Sequence, residues 1–389
     1  MNRIKLGMVG GGIGAFIGGV HRIAARIDDQ FELVAGALSS DPKRARESAL
    51  QLGIDESRSY QDYQTMAKQE AEREDGIDAV SIVTPNHMHF PIAKAFLEAG
   101  IHVICDKPMT FNLAEAIALK DIADKSNKLF VLTHNYSAYP VVRMAQHMVQ
   151  QGKLGQLRLI QVEYVQDWMT EATEHSGNKQ AEWRTDPARS GAAGCLGDIG
   201  THAFNLARFI SGLKLESVSA ELSTFVEGRA LDDNVHALLR FEQGVKGMMW
   251  TSQVAPGHEN GLKIRLYGSQ GGIEWQQENP NHILFHPHGQ PSQIITRAGY
   301  GFNAQHAGLT RTPSGHPEGY LEGFANLYQE TAQVIHQLKQ GQDLQTALAP
   351  FPLPGTQEGL EGLQFITAML HSSQHNGQWT QLEDAHELK

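Results

Sequence analysis

The sequence predicts an α/β protein with a doubly wound parallel sheet at its N-terminus, followed by an α+β half built on a large, open, mostly antiparallel sheet. Three observations lead there. Residues 3–135 alternate short β-branched runs with helix-like segments, the pattern of parallel βαβ units. A glycine-rich turn, VGGGIGA at 9–15, directly follows the first run. From residue 215 onward, alternating runs follow one another across short Gly-containing links, which favours antiparallel neighbours. The 389 residues accommodate two domains at roughly 100–200 residues each. The change of pattern divides them into 1–135 and 136–389.

In the first half the strand candidates are IKLGMV (4–9), FELVAGAL (31–38), DAVSIV (78–83), HVIC (102–105) and LFVLT (129–133). PKRARESALQLG is the clearest helix between them, with Pro42 near its start, Gly53 at its end, and Ala45, Ala49 and Leu52 at helical spacing. Crossovers between parallel strands place helices on both faces of such a sheet. The second half begins with a helix from Pro140 to Gln151, one strand, a polar loop at 169–195 and a helix at 197–212. Seven runs follow: ESVSAELSTF, NVHALLRF, VKGMMWTSQ, GLKIRLYGS, GIEWQQ, HILFHP and QIITR. A loop at 297–316 and helices at 318–339 and 356–373 close the chain, and the last helix could pack back on the first domain.

Composition narrows the function. With 41% hydrophobic and 19% charged residues the chain can bury a sizeable core. Its 32 basic and 43 acidic residues leave a net charge of −11 without a basic run, which argues against nucleic acid as a partner. No apolar run reaches the ~18 residues of a membrane span. Cys105 and Cys195 cannot form a disulfide framework, so a soluble cytoplasmic protein is expected. The 19 histidines lack the short Cys/His spacing of a zinc site, and His286 and His288 merely share one strand face; no metal is expected.

The turn reads G-x-G-x-x-A at Gly10, Gly12 and Ala15, with Ile13 between them. Small residues suit a backbone that bends sharply, approaches a pyrophosphate and packs a helix on the strand. The phosphate would sit on the helix N-terminus. At the end of the second strand, where an acid usually binds the ribose 2′-hydroxyl of NAD, stands Ser39, with Asp41 two positions on. Ser39 and Arg44 could instead hold the 2′-phosphate of NADP, a slight lean towards that cofactor. Equally, Asp41 suits a helix N-cap and Arg44 an exposed helix position. TPNHMH (84–89) and DKP (106–108) fall at strand carboxyl ends, where open α/β sheets bind ligands.

In GDIGTHAFNLARFISG (197–212), Ile199, Ala203, Leu206 and Ile210 form an apolar stripe, and Asp198, His202 and Asn205 lie on a neighbouring face. A carboxylate one turn from an imidazole can orient the ring for proton transfer. Taken alone, Asp198 also suits an N-cap and His202 an interior histidine.

The glycine-rich start, TPNHMH, CDKP, HNYSAYP, QGKLGQL and GDIGTHAFN, in this order, resemble the Gfo/Idh/MocA family of NAD(P)-dependent oxidoreductases across essentially the whole chain. The resemblance implies a Rossmann domain and a dehydrogenase acting on sugars, cyclic polyols or their derivatives. It matches Lys107 to the family's E-K-P lysine and Asp198 and His202 to its D-x-x-x-H pair. Pro85, Asn86 and His89 would lie near the nicotinamide and its ribose, and Thr84 would also contact the cofactor. Asp106 replaces the family's glutamate, one methylene shorter.

In that reading His202, or alternatively a neutral Lys107, takes the substrate hydroxyl proton. Tyr136, Trp183, Arg184, Asn205 and Tyr320 are candidate substrate contacts, each with a structural alternative: Trp183 in the core, or Arg184 paired with Asp186. A glycosidase- or epimerase-like enzyme with transient oxidation, and a non-catalytic sugar sensor, are the competing functions. Apolar residues on both parities of VKGMMWTSQ suggest a homodimer or homotetramer through the second sheet.

Overall fold

In the computed structural model the described residues are 2–302 and 308–383. They form two compact units. The first comprises the chain up to His134 together with Phe324–Leu360; the second comprises Asn135–Gly323 and the chain from Glu361 onward. The residues 303–307 of the loop expected at 297–316 lie outside the described residues.

The first unit is built on five parallel strands, β1 (Ile4–Gly10), β2 (Phe31–Ala37), β3 (Ala79–Val83), β4 (His102–Cys105) and β5 (Phe130–Leu132), in the order β2-β1-β3-β4-β5. Ile4, Leu6, Met8, Val80, Ile82, Val103, Ile104 and Val131 are all buried, as continuous apolar runs covered on both faces must be. The order reverses direction at β1 and β3, so the carboxyl ends of these two strands flank the crevice where such sheets take ligands. Local signals set the helix ends. Asp41 caps Pro42–Gln51 by accepting from the Arg44 N–H at 2.7 Å, and Asn112 caps Leu113–Ser126 by accepting from Glu115 at 2.9 Å.

The second unit carries nine strands: β6 (Leu157–Val165), β7 (Leu215–Ser223), β8 (Asn234–Phe241), β9 (Lys246–Ser252), β10 (Gly261–Gly268), β11 (Gly271–Gln276), β12 (His282–Pro287), β13 (Gln293–Thr296) and β14 (Thr380–Gln381). Their order is β13-β12-β11-β10-β6-β9-β8-β7-β14, and all neighbours are antiparallel except β6 and β9. Ile160, Val162, Val235, Leu239 and Met249 point to the buried face, while Leu159, Leu238 and Met248 are about half exposed on the other. At the β7 edge the C-terminal segment supplies more than the short strand β14. The hydroxyl oxygens of Ser372 and Ser373 accept the N–H groups of Ala220 and Leu222 at 2.9 and 3.0 Å, and Glu216 accepts from Leu382 at 2.9 Å.

Two expectations are corrected. The segment 169–195 is not simply a loop, because Lys179–Arg184 and Pro187–Ser190 are helical, capped by Asn178 and Asp186. Helices of four to six residues show no periodicity; their only signal is the cap residue, with Pro187 behind Asp186. The expected helix at 197–212 is in two parts, a π-helical turn at Leu196–Gly200 and an α-helix at Thr201–Ser211. Among the described residues no helix is long and apolar enough to cross a membrane.

Candidate functional site

In the first unit β1 runs into the glycine turn. Gly10, Gly11 and Gly14 have φ of +79°, +71° and +82°, a region that L side chains rarely adopt. A Cβ on Gly10 would stand 2.8 Å from the Val83 carbonyl oxygen and 2.9 Å from Thr84 Cγ2; on Gly12 it would stand 2.7 Å from both Leu38 O and Ser48 Oγ. The close helix-to-turn packing is made by Gly18, where a Cβ would overlap the backbone of Gly11. Ala15 instead is the N-cap of Phe16–Ile27. The Ile13 N–H donates to Ser48 Oγ at 3.0 Å, so it braces the turn. Beside Gly10, at the end of β3, the Thr84 hydroxyl is buried with no hydrogen-bond partner among the described residues. A tight glycine cradle with an unused hydroxyl at its rim fits a dinucleotide.

Ser39 Oγ accepts from the Asp41 N–H at 3.1 Å, and Asp41 is committed to its helix cap. Arg44 is exposed on the first turn of that helix. Both ring nitrogens of His89 face carbonyl oxygens, Pro108 O at 2.7 Å and Thr84 O at 2.9 Å. Carbonyls only accept, and burial holds the His89 pKa below the usual value, so the neutral ring donates to one of these carbonyls at a time and sits between the 84–89 and 106–108 segments. Pro85 is half-buried and Asn86 buried in the short turn that precedes it. Asp106 Oδ1 accepts from the Lys107 N–H at 3.1 Å and from the Thr133 hydroxyl at 2.9 Å, so the shorter acid braces its own loop. Lys107 is half-buried. Its charge, after burial itself, helps push His134 down to about 3.

In the second unit Asp198 lies within the π-helical turn and His202 in the first turn of the α-helix. The wider turn means that a separation of four is not one α-helical repeat here. Asp198 Oδ2 accepts from Arg184 Nε at 3.1 Å and from Gln253 Nε2 at 2.9 Å. Arg184 therefore pairs with Asp198, and it is Arg189 that pairs with Asp186, at 2.7 Å. Trp183 is half-exposed rather than core, with the Arg184 guanidinium 4.3 Å above its ring.

His202 is nearly buried, and the Tyr136 ring meets it edge-on at 4.9 Å. Tyr164 donates to Asn260 Oδ1 at 2.7 Å, which leaves Tyr136 as the donor in the 2.7 Å bond between the two phenols. Burial raises the pKa of both tyrosines, so they stay protonated and donate at neutral pH. Tyr320 stands 6.3 Å from Tyr136, and Asn205 is buried further along the helix. Sequence reasoning missed Tyr164, Gln253 and Asn260. Their one signal was position, at or just beyond strand ends.

Residues 4–134 match the model of an oxidoreductase family with an NAD-binding Rossmann fold, and residues 142–274 match the GFO/IDH/MocA C-terminal domain. An uncharacterized oxidoreductase of Bacillus subtilis, YfiI, is 34% identical over 98% of this chain and 97% of its own length. The chain belongs to the Gfo/Idh/MocA family of oxidoreductases. Two solved structures of similar proteins add detail. An oxidoreductase from Sinorhizobium meliloti is 52% identical, with a TM-score of 0.88 over 97% of this chain and 99% of that one. An inositol dehydrogenase homolog from Azotobacter vinelandii, complexed with NADH and myo-inositol, is 36% identical, with a TM-score of 0.91 over 98% of each chain. As a Gfo/Idh/MocA protein the chain binds NAD(P) through its Rossmann unit, where the glycine cradle and Thr84 lie.

Proposed function

We propose that this chain is an NAD(P)-dependent dehydrogenase acting on a carbinol carbon of a sugar, an inositol or a related polyol or keto-sugar. The observation that carries the reading is the surroundings of His202: an acid held by two donors within the preceding turn, and a hydrogen-bonded pair of phenols against the ring. The myo-inositol bound by the Azotobacter relative supports the substrate class. Gly10, Gly12, Thr84, Pro85 and Asn86 would hold the cofactor, which supplies a hydride acceptor or donor at C4 of its nicotinamide. His202 accepts the proton of the substrate hydroxyl, and Asp198 stabilises the charged imidazole. The Lys107 ammonium is suited to stabilise a negative charge developing on a substrate oxygen. Tyr136, Asn205, Tyr320, Trp183 and Arg184 offer the donors, acceptors and aromatic surface that a hydroxyl-rich ligand needs.

The test is a screen of sugars, inositols and keto-sugars with NAD and NADP, following nicotinamide absorbance. On the substrate found, Lys107→Met and His202→Asn should each lower kcat by about 100-fold or more. Wild-type turnover by both variants would refute the assignment. Turnover without net NADH would move the reading to transient oxidation.

We also propose that the half-exposed face bearing Leu159, Leu238 and Met248 pairs with a second copy. Trp250 shares this face, and a concavity lined by Phe225, Trp250 and His258 adjoins it. Light scattering should report a dimer or tetramer; a 42.8 kDa species would exclude it.

A further inference from the structure

We propose that Asp232, together with the backbone of Asp233, is the positioning element for the proton-transfer residues: this dipeptide fixes both the start of the helix that carries Asp198 and His202 and the amide that holds Asp198. The inference rests on the reading that Asp198 and His202 perform the chemistry.

Asp232 stands just ahead of β8 and is buried. Its Oδ1 accepts from the Gly194 N–H at 2.7 Å, its Oδ2 from the Leu196 N–H at 2.8 Å, and its backbone carbonyl from the Cys195 N–H at 2.8 Å. The first N–H groups of a helix have no partner inside it. Here three successive ones, 194 to 196, all end on one residue, and a carboxylate also suits the positive end of the helix. The approach is close enough that a Cβ on Gly194 would overlap the Asp232 carbonyl oxygen.

Asp233 continues the device. Its carboxylate accepts the Phe225 and Val226 N–H groups at 2.9 and 3.0 Å and pairs at 3.2 Å with Arg229, itself bonded to Glu174. Its carbonyl accepts the Gln253 N–H at 2.9 Å, and the Gln253 side chain donates to Asp198 Oδ2 at 2.9 Å. A loop anchored by buried ion pairs thus sets the acid and the imidazole from two directions. Burying two adjacent carboxylates is costly, and donors offset part of that cost: each Asp232 oxygen accepts one backbone N–H, and Asp233 accepts two N–H groups besides its ion pair with Arg229.

The test compares Asp232→Asn and Gly194→Ala with wild type and with His202→Asn. Asparagine keeps the shape but turns an amide NH2 towards one of the two backbone N–H groups. Asp232→Asn and Gly194→Ala should each lower kcat about tenfold or more and displace the acid limb of the pH–rate profile, with the dissociation constant of NADH, read by fluorescence, unchanged. Rescue adds a check: in Asp232→Glu, which restores the carboxylate, kcat should exceed that of Asp232→Asn. If the variants melt at lower temperature yet keep wild-type kcat and pH profile, Asp232 is only a structural cap and the proposal is overturned. Wild-type turnover by His202→Asn would instead overturn the catalytic reading beneath it.

Discussion

At Arg44 the proposed choice between NAD and NADP can be tested. No acid stands at the end of β2, Ser39 and Asp41 are engaged with their own turn and cap, and the Arg44 side chain is exposed. An exposed guanidinium at that point suits a charged 2′-phosphate better than a neutral ribose diol. Arg44→Ala should therefore raise KM for NADP about tenfold while leaving KM for NAD within twofold, the loss of one charge-assisted contact. Equal KM values for NADP in the variant and wild type would show that Arg44 takes no part. His89 illustrates what a sequence hides at this scale. Its place beside Thr84 was readable, but its two carbonyl partners lie five and nineteen residues away and appear only once β3 and β4 are paired.

At the scale of elements, the helix Phe16–Ile27 contains two adjacent glycines with opposite roles. Gly18 is buried against Gly11, whereas a Cβ on Gly19 would meet only Arg22 Nη2, at 3.9 Å. Gly18→Ala should lower the melting temperature and weaken NADH binding, because the turn must move to admit the methyl group. Gly19→Ala should leave binding alone and stabilise the helix by up to about 1 kcal/mol. Differential scanning fluorimetry with and without NADH separates the two, and equal behaviour would remove the role given to Gly18. Long elements were legible because their periodicity is a statement about burial: every parallel strand of the first unit and the runs from 215 to 297 were anticipated to within a few residues. The π-helical turn was not, since nothing in LGDIG distinguishes a wider turn from an α-helical one. What sets the start of that helix is Asp232, 34 residues beyond Asp198.

For the whole molecule, buried and half-buried histidines weigh on the response to acid. Burial pushes His21 and His102 down to about 4 and His134 to about 3, and all three belong to the first unit. Below the unfolded value of 6.5 the unfolded chain binds protons that the folded chain refuses, so stability falls as pH drops from 6.5 towards 4 and levels off below the folded values. Each histidine contributes a loss of about 2 kcal/mol by pH 5. Asp232, raised to about 6 by burial, acts in the opposite sense, because its folded form takes up a proton first, and it offsets part of that loss. Melting temperature should therefore decline between pH 7 and pH 5, and His102→Gln should flatten the decline, since its Nδ1 only accepts the Leu129 N–H. A melting temperature independent of pH over this range would contradict the buried neutral state. Composition displayed 19 histidines without saying which were buried. Nor could local pattern assign Phe324–Leu360 to the first unit, because that grouping depends on packing between residues two hundred positions apart.

The serines that close the β7 edge have a bearing on solubility. Unpaired strand edges are templates for foreign strands, and here Ser372, Ser373 and the short strand β14 occupy the backbone donors and acceptors of β7 that an intruding peptide would seek. The C-terminal segment thus competes with any strand that would pair there, whereas at the other end of the sheet, among the described residues, no strand lies beyond β13, where Ile294 is exposed.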